Sequence, residues 1–341
     1  MILPCELPVI QAPMAGGPST PELTAAVAAA GGYGFVAGGY LSADGLRQAI
    51  SATRALTDAP FGVNLFVPST PGQPGEVARY AHELAPDADR LGVELGDPRW
   101  EDDDYGAKLD VVASAGIHLA SFTFGCPSAE TVDRLHHAGC LVAVTVTSVP
   151  EAEAAAAVGA DVLAVQGTEA GGHQGAFLDL EPATRPLLSL LSEIRAVTDL
   201  PLIGSGGIMS GADAAAALGA GAAAVQIGTA LLCTPEAGTS PPYRRALRDG
   251  RYTDTILTRA FSGRFARGLA NEFALDHDGR APRAYPEVHH LTRPLRAAAM
   301  RAGDAGVLNL WAGTGWRALT GEPAGAVVRW IGAGAVGGSG R

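Results

Sequence analysis

Short apolar runs recur eight times before residue 235, most followed by a glycine-bearing loop and a helix-forming stretch. They are Leu7–Ala12, Tyr33–Ala37, Phe61–Phe66, His118–Thr123, Cys140–Val146, Val162–Gln166, Leu200–Ser205 and Ala222–Thr229. A run that is apolar on both faces suits a parallel strand covered by helices, and the strand–helix alternation demands such a sheet. Eight parallel units is the number at which that sheet closes, so the expected fold is an α/β (β/α)8 TIM barrel. An open, doubly wound sheet is the competing arrangement, but it leaves the late glycine loops without a shared mouth.

Local signals place the helices. Thr20-Pro21-Glu22 supplies a capping hydroxyl and a first-turn proline before an Ala-rich stretch that Gly31-Gly32 stops. Further helices are expected over 42–56, 128–137, 149–158 and 211–218. The rhythm breaks between residues 68 and 104, where prolines and glycines precede a helix near 77–84 and the run Glu101-Asp102-Asp103-Asp104. This reads as an insertion whose consecutive carboxylates face water. Residues 1–235 are thus the barrel domain, with the insertion at about 68–104. The Arg-rich residues 236–320 are expected to form a helical lid or substrate subdomain. Residues 321–341 are expected to return a helix (near 323–331) to the barrel and end in a flexible tail. Gly332-Ala333-Gly334-Ala335-Val336-Gly337 matches G-x-G-x-x-G but has no helix after it, so it is not a dinucleotide loop.

Composition removes whole classes. A net charge of −11 without a basic cluster excludes a nucleic-acid surface. Cys5, Cys126, Cys140 and Cys233 form no C-x-x-C pair, which points to neither a disulfide framework nor a metal site. Residues 1–6 lack a basic and apolar leader, and the uncharged run 214–235 reads as helix, turn and strand rather than a membrane span. The expectation is a cytoplasmic protein with no membrane or nucleic-acid partner.

The chemistry concentrates past the sixth run, in Gln166-Gly167-Thr168-Glu169-Ala170-Gly171-Gly172-His173-Gln174-Gly175. Reactive side chains in barrels sit just past strand carboxyl ends, and His173 is the one group in this loop that exchanges a proton near neutral pH. Two further glycine loops, Ser205-Gly206-Gly207 and Gln226-Ile227-Gly228-Thr229, follow the seventh and eighth runs, the usual phosphate position of a barrel. A phosphate there, beside the amides of Asn64 and Gln166 and the apolar loop Ala12-Pro13-Met14, suits flavin mononucleotide (FMN). His136-His137 read as surface residues, His289-His290 as weak site candidates, and Trp100, Trp311, Trp316 and Trp330 as packing.

Together, Gln11–Gly17, Ser121-Phe122-Thr123-Phe124-Gly125, the 166–175 loop, Gly206-Gly207-Ile208, Gln226–Thr229 and Gly263–Gly268 resemble the nitronate monooxygenases, formerly 2-nitropropane dioxygenases, most closely their class I branch. The resemblance spans nearly the whole chain. It implies a metal-free FMN enzyme that oxidises alkyl nitronates with O2 to carbonyl compounds and nitrite. Its partners would be the anionic nitronate and O2, with a homodimer as one possible assembly. By position, Met14, Asn64, Gln166, Gly171, Gly207 and Gln226–Thr229 would hold FMN, with Ala12, Pro13, Gly172, Ser205 and Gly206 beside them. His173 would be the catalytic base or the group that binds the nitronate. Flavin-dependent enoyl-acyl-carrier-protein reductases resemble the same loop, so NAD(P)H-dependent reduction of an enoyl thioester or a quinone is the alternative. A binder of flavin or phosphate without turnover is the third.

Overall fold

The computed structural model describes residues 3–337. In chain order its strands are β1 (Val9–Gln11), β2 (Phe35–Ala37), β3 (Gly62–Phe66), β4 (Leu119–Thr123), β5 (Leu141–Val146), β6 (Val162–Gln166), β7 (Gly172–His173), β8 (Leu202–Ser205), β9 (Ala224–Ile227), β10 (Thr255–Thr258) and β11 (Ala266–Leu269). Eight of them form one parallel sheet in the order β1-β9-β8-β6-β5-β4-β3-β2. A parallel bridge between Ile10 and Tyr33 joins its two ends, so the sheet closes into the expected barrel.

Period-two alternation along each strand assigns the side chains. Ile10, Tyr33, Phe35, Leu119, Ala143, Val162, Ile203 and Ala224 point inward and plug the barrel floor. Val63, Leu65, Ala120, Phe122, Leu163, Val165, Val225 and Ile227 point outward into the layer beneath the helices. One step further up, the same alternation turns Asn64, Ser121, Gln166, Ser205 and Gln226 toward the axis at the carboxyl end.

The surrounding helices are α1 (Pro21–Ala29), α2 (Ala43–Arg54), α3 (Pro74–Glu83), α4 (Ala85–Leu91), α5 (Tyr105–Ser114), α6 (Ala129–His137), α7 (Val149–Ala157), α8 (Leu187–Arg195), α9 (Gly211–Gly219), α10 (Pro241–Arg248), α11 (Glu272–Asp276), α12 (Glu287–Ala302) and α13 (Ala324–Gly337). Thr20, Ser42, Ser128, Ser148 and Ser210 cap their helices through side-chain oxygens. Sequence reading missed α5, which carries no capping side-chain bond and only a weak apolar stripe.

The ring's eighth helix is α13, which packs against α9 and α1. Residues 236–320 are therefore inserted between the last barrel strand and its helix. They are not purely helical, because β10 and β11 pair antiparallel and β11 pairs in turn with β7. Residues 68–104 join them in a second core, where Tyr80 and Leu84 pack with Phe261, Phe273, Val288, Leu291 and Leu295. The Gly332–Gly337 motif lies inside α13; the tail expected beyond it lies outside the described residues. Gly334 instead lets two helices meet, since a Cβ there would stand 2.5 Å from the Gly211 Cα. Gly334→Val should therefore cost about 1–3 kcal/mol by overpacking, read as a lower urea midpoint at unchanged slope.

Candidate active site

A cavity of about 760 Å³ opens at the carboxyl end of the barrel, within the range that encloses a cofactor-sized ligand. Ala12, Pro13, Met14, Asn64, Gln166, Gly171, Gly172, His173, Ser205, Gly206, Gly207, Gln226, Gly228 and Thr229 all line it. Ile227 does not. The alternation that turns Gln226 inward turns Ile227 outward, where it is 1% exposed in the layer under the helices.

His173 is fixed by residues far away in sequence. β7 pairs with β11 through Ala266↔His173 and Arg267↔Gly172. The Gln174 N–H donates to the Phe265 carbonyl at 2.8 Å. The Arg264 guanidinium, 2% exposed, donates to the carbonyls of Gln174 and Ala176. From the barrel side, the Gln166 amide donates to the His173 carbonyl at 3.1 Å and accepts the Gly175 N–H at 2.7 Å. Gln166 thus braces the His173 loop while still lining the cavity. Gly171 permits a second close approach, since a Cβ there would lie 2.4 Å from the Gly313 nitrogen.

The imidazole Nε2 lies 2.8 Å from the Ser262 Oγ, which also reaches the Arg264 carbonyl at 3.2 Å. Phe124, Tyr285 and Trp311 meet the ring edge to face, at centroid distances of 5.7, 5.7 and 5.4 Å. Burial, then the charges of Arg264 and Arg296, push the His173 pKa down to about 3. The imidazole is therefore neutral across the physiological range.

At the other end of the cavity stand the glycine loops. The N–H groups of Gly206, Gly207, Gly228 and Thr229 make no hydrogen bond among the described residues. Gly207 has φ +72°, which favours glycine. The nearby N-terminus of α9 is closed by its own Ser210–Asp213 capping box, so an anion here would meet loop amides instead. Gly313-Thr314-Gly315 from the late segment covers these loops, with the Gly313 N–H donating to Thr229 Oγ1 at 2.9 Å.

Several lining residues escaped the sequence. His289 lies flat against Tyr40 (4.4 Å, 7°), and both line the cavity with His290, Arg293 and Arg296. The H-H-x-x-R-x-x-R spacing on one helix was the available signal. Trp311, expected as packing, walls the cavity beside His173. The acidic run does not simply face water. Asp103 pairs with the buried Lys108 at 2.7 Å and accepts the Tyr40 N–H at 3.0 Å, while Glu101 faces Arg99 and His290 at 3.2 and 3.1 Å. Tyr40 and Phe124 hold positive φ angles of +66° and +77° at the cavity wall, a strain that non-glycine residues adopt chiefly at functional sites. As expected, His136 and His137 are exposed. Cys126, Cys140 and Cys233 are free thiols.

A model described as nitronate monooxygenase matches residues 2–328. A probable nitronate monooxygenase of Staphylococcus saprophyticus is 38% identical over 322 residues, covering 92% of this chain and 90% of its own. This chain belongs to the nitronate monooxygenase family. A nitroalkane oxidase from Streptomyces ansochromogenes superposes with a TM-score of 0.96 at 49% identity, covering 98% of this chain and 97% of its own. FabK from Thermotoga maritima is more distant, with a TM-score of 0.74 at 25% identity over 98% of this chain and 94% of its own. The chain is thus an enzyme of a flavin-dependent oxidoreductase family. Among the described residues no helix is long and apolar enough to cross a membrane, and no cluster of His, Cys, Asp and Glu is placed to hold a metal ion.

The depressed His173 pKa has a thermodynamic consequence. Between its unfolded value near 6.5 and about 3, the unfolded chain binds a proton there that the folded chain does not. Stability should therefore fall as pH drops through this window, with His173 contributing up to about 1.4 kcal/mol per pH unit. Urea titrations between pH 6.5 and 4.5 should show a shallower pH slope for His173→Asn.

Proposed function

We propose that this chain is an FMN-dependent nitronate monooxygenase, in which His173 is the catalytic group and the glycine loops hold the FMN phosphate. The observation that carries this reading is a neutral, lid-held imidazole in the same cavity as four uncommitted backbone N–H groups. The residues fit the cofactor. Gly206, Gly207, Gly228 and Thr229 offer amides to a phosphate dianion. Gln226 brings a side-chain amide to a ring edge, and Asn64, whose nitrogen is held by Ser121 and Thr123, a carbonyl oxygen; Met14 and Pro13 bring an apolar cover for its face. FMN bound there would supply the electron transfer that couples substrate oxidation to reduction of O2.

The chain's own part is to bind, orient and move a proton. A neutral His173 can hydrogen-bond the nitro group of a nitronate, and it can accept the α-proton of a neutral nitroalkane. The Ser262 hydroxyl can donate to Nε2 of the neutral ring or accept from it once protonated, because the Arg264 carbonyl offers its proton a second acceptor. An anionic substrate offsets the guanidinium fields that depress the His173 pKa, so binding raises its basicity where a proton is to be taken. Phe124, Tyr285 and Trp311 keep water off the ring and strengthen each of these contacts.

The test is oxygen uptake by the flavin-loaded enzyme given an alkyl nitronate without nicotinamide. Rapid uptake with nitrite release is the expected result. Flavin bleaching by NADH or NADPH without uptake would instead establish a reductase. His173→Asn should keep its flavin absorbance and lose about 10²–10⁴-fold in turnover. Gly207→Asp should purify without flavin, because it adds a carboxylate to the phosphate cradle at a positive φ.

A further inference from the structure

A neutral His173 cannot balance the charge of an anionic substrate. We propose that Arg296 does so, as the residue that binds the nitronate's oxygens and selects the anionic substrate; this rests on the function proposed above.

Arg296 sits on the face of α12 that lines the cavity, with His289 two turns behind it and the exposed Arg293 one turn behind it. Its Nε donates to Thr292 Oγ1 at 3.3 Å, and its Nη2 donates to the His289 carbonyl at 2.8 Å. These bonds fix the guanidinium plane and leave Nη1 without an acceptor among the described residues. Among the described residues no carboxylate lies within ion-pair distance of Arg296. The nearby acids have cations of their own: Asp103 holds Lys108, Glu101 faces Arg99, and Asp179 holds Arg259. The neutral groups around it, Tyr40, Tyr285 and His289, supply polarity and no negative charge.

A guanidinium withdrawn from bulk water and lacking a counter-ion is costly, and such groups are ordinarily paired or bound to a ligand. Burial lowers its pKa only to about 10, so it stays charged at neutral pH. Its free Nη1 presents two N–H donors and the guanidinium charge to an oxyanion such as a carboxylate or a nitronate. Its charge also acts on the His173 imidazole, which places both groups in one electrostatic site. In a chain of net charge −11, this locally positive cavity draws in an anion that the surface as a whole repels.

The probe is nitrate, a planar oxyanion, titrated into the flavin-loaded enzyme by calorimetry and followed by the flavin spectrum. Arg296→Gln should raise the nitrate Kd by about 10- to 100-fold, the worth of a charge-assisted hydrogen bond. Arg296→Lys should recover part of that loss, and Arg293→Gln, at the exposed mouth, should change it little. In turnover, Arg296→Gln should raise KM for a nitronate more than for the matching neutral nitroalkane. Nitrate binding unchanged in Arg296→Gln, or abolished by Arg293→Gln instead, overturns the assignment. If Arg296→Gln does not fold, Arg296→Lys against wild type decides: an equal nitrate Kd in the two refutes the part assigned to the guanidinium. Nitrate affinity is read without turnover, so Arg296-dependent binding in an enzyme that leaves nitronates untouched would sink the proposed reaction and keep the anion site.

Discussion

The two-residue pairing of β7 with β11 is the contact on which the site depends. Past the end of β6 the chain leaves the barrel, and a loop with four glycines has no conformation of its own to keep. It acquires one because Gly172 and His173 become the edge of an antiparallel sheet built by residues more than eighty positions later. Arg264, Phe265 and Ser262 then bond the backbone and ring of the same loop. The barrel offers the histidine; the late segment decides where its imidazole stands and what charge it carries.

That division explains why the late segment interrupts the barrel instead of following it. With α13 returning to fill the gap between α9 and α1, residues 236–320 are tethered at both ends above the mouth. An insertion between a barrel strand and the helix that follows it lands on the functional face. The 68–104 stretch reaches the same place from the other side, and its carboxylates meet Tyr40 and His290 at the rim. A second apolar core joins the two, so cavity and lid form one packed unit.

The barrel was legible because its signals are local. Apolar runs of strand length, capping hydroxyls and stop glycines each act within a few residues, and every expected barrel strand is present. The loops holding His173, Gly207 and Gly228 were legible because barrels put chemistry at strand ends. What escaped was set by distance in sequence. Nothing near Gln166 announces that its amide closes on residues 173 and 175, and nothing in the late segment announces an edge strand for β7. Arg296 was hidden, and His289 marked only as a weak candidate, for a related reason. A cationic stripe on a helix ordinarily faces water, and only the fold turns this one onto a cavity. The acidic run misled in the same way, because Asp103 finds its buried lysine five residues on, on a helix the sequence did not reveal. Ile227 was an error of phase: a loop motif was taken whole, although alternation had already sent that side chain to the other face.

The account turns on the charge state of one ring. Long-range nitrogen–proton NMR of the histidine-labelled enzyme, with His173 assigned by its absence in His173→Asn, measures that state directly. A neutral imidazole whose shifts hold constant from pH 8 to pH 5 is the predicted result. Titration of the His173 nitrogens with a midpoint near 6.5 would contradict it, and with it the division of labour between a neutral histidine and the arginine beside it.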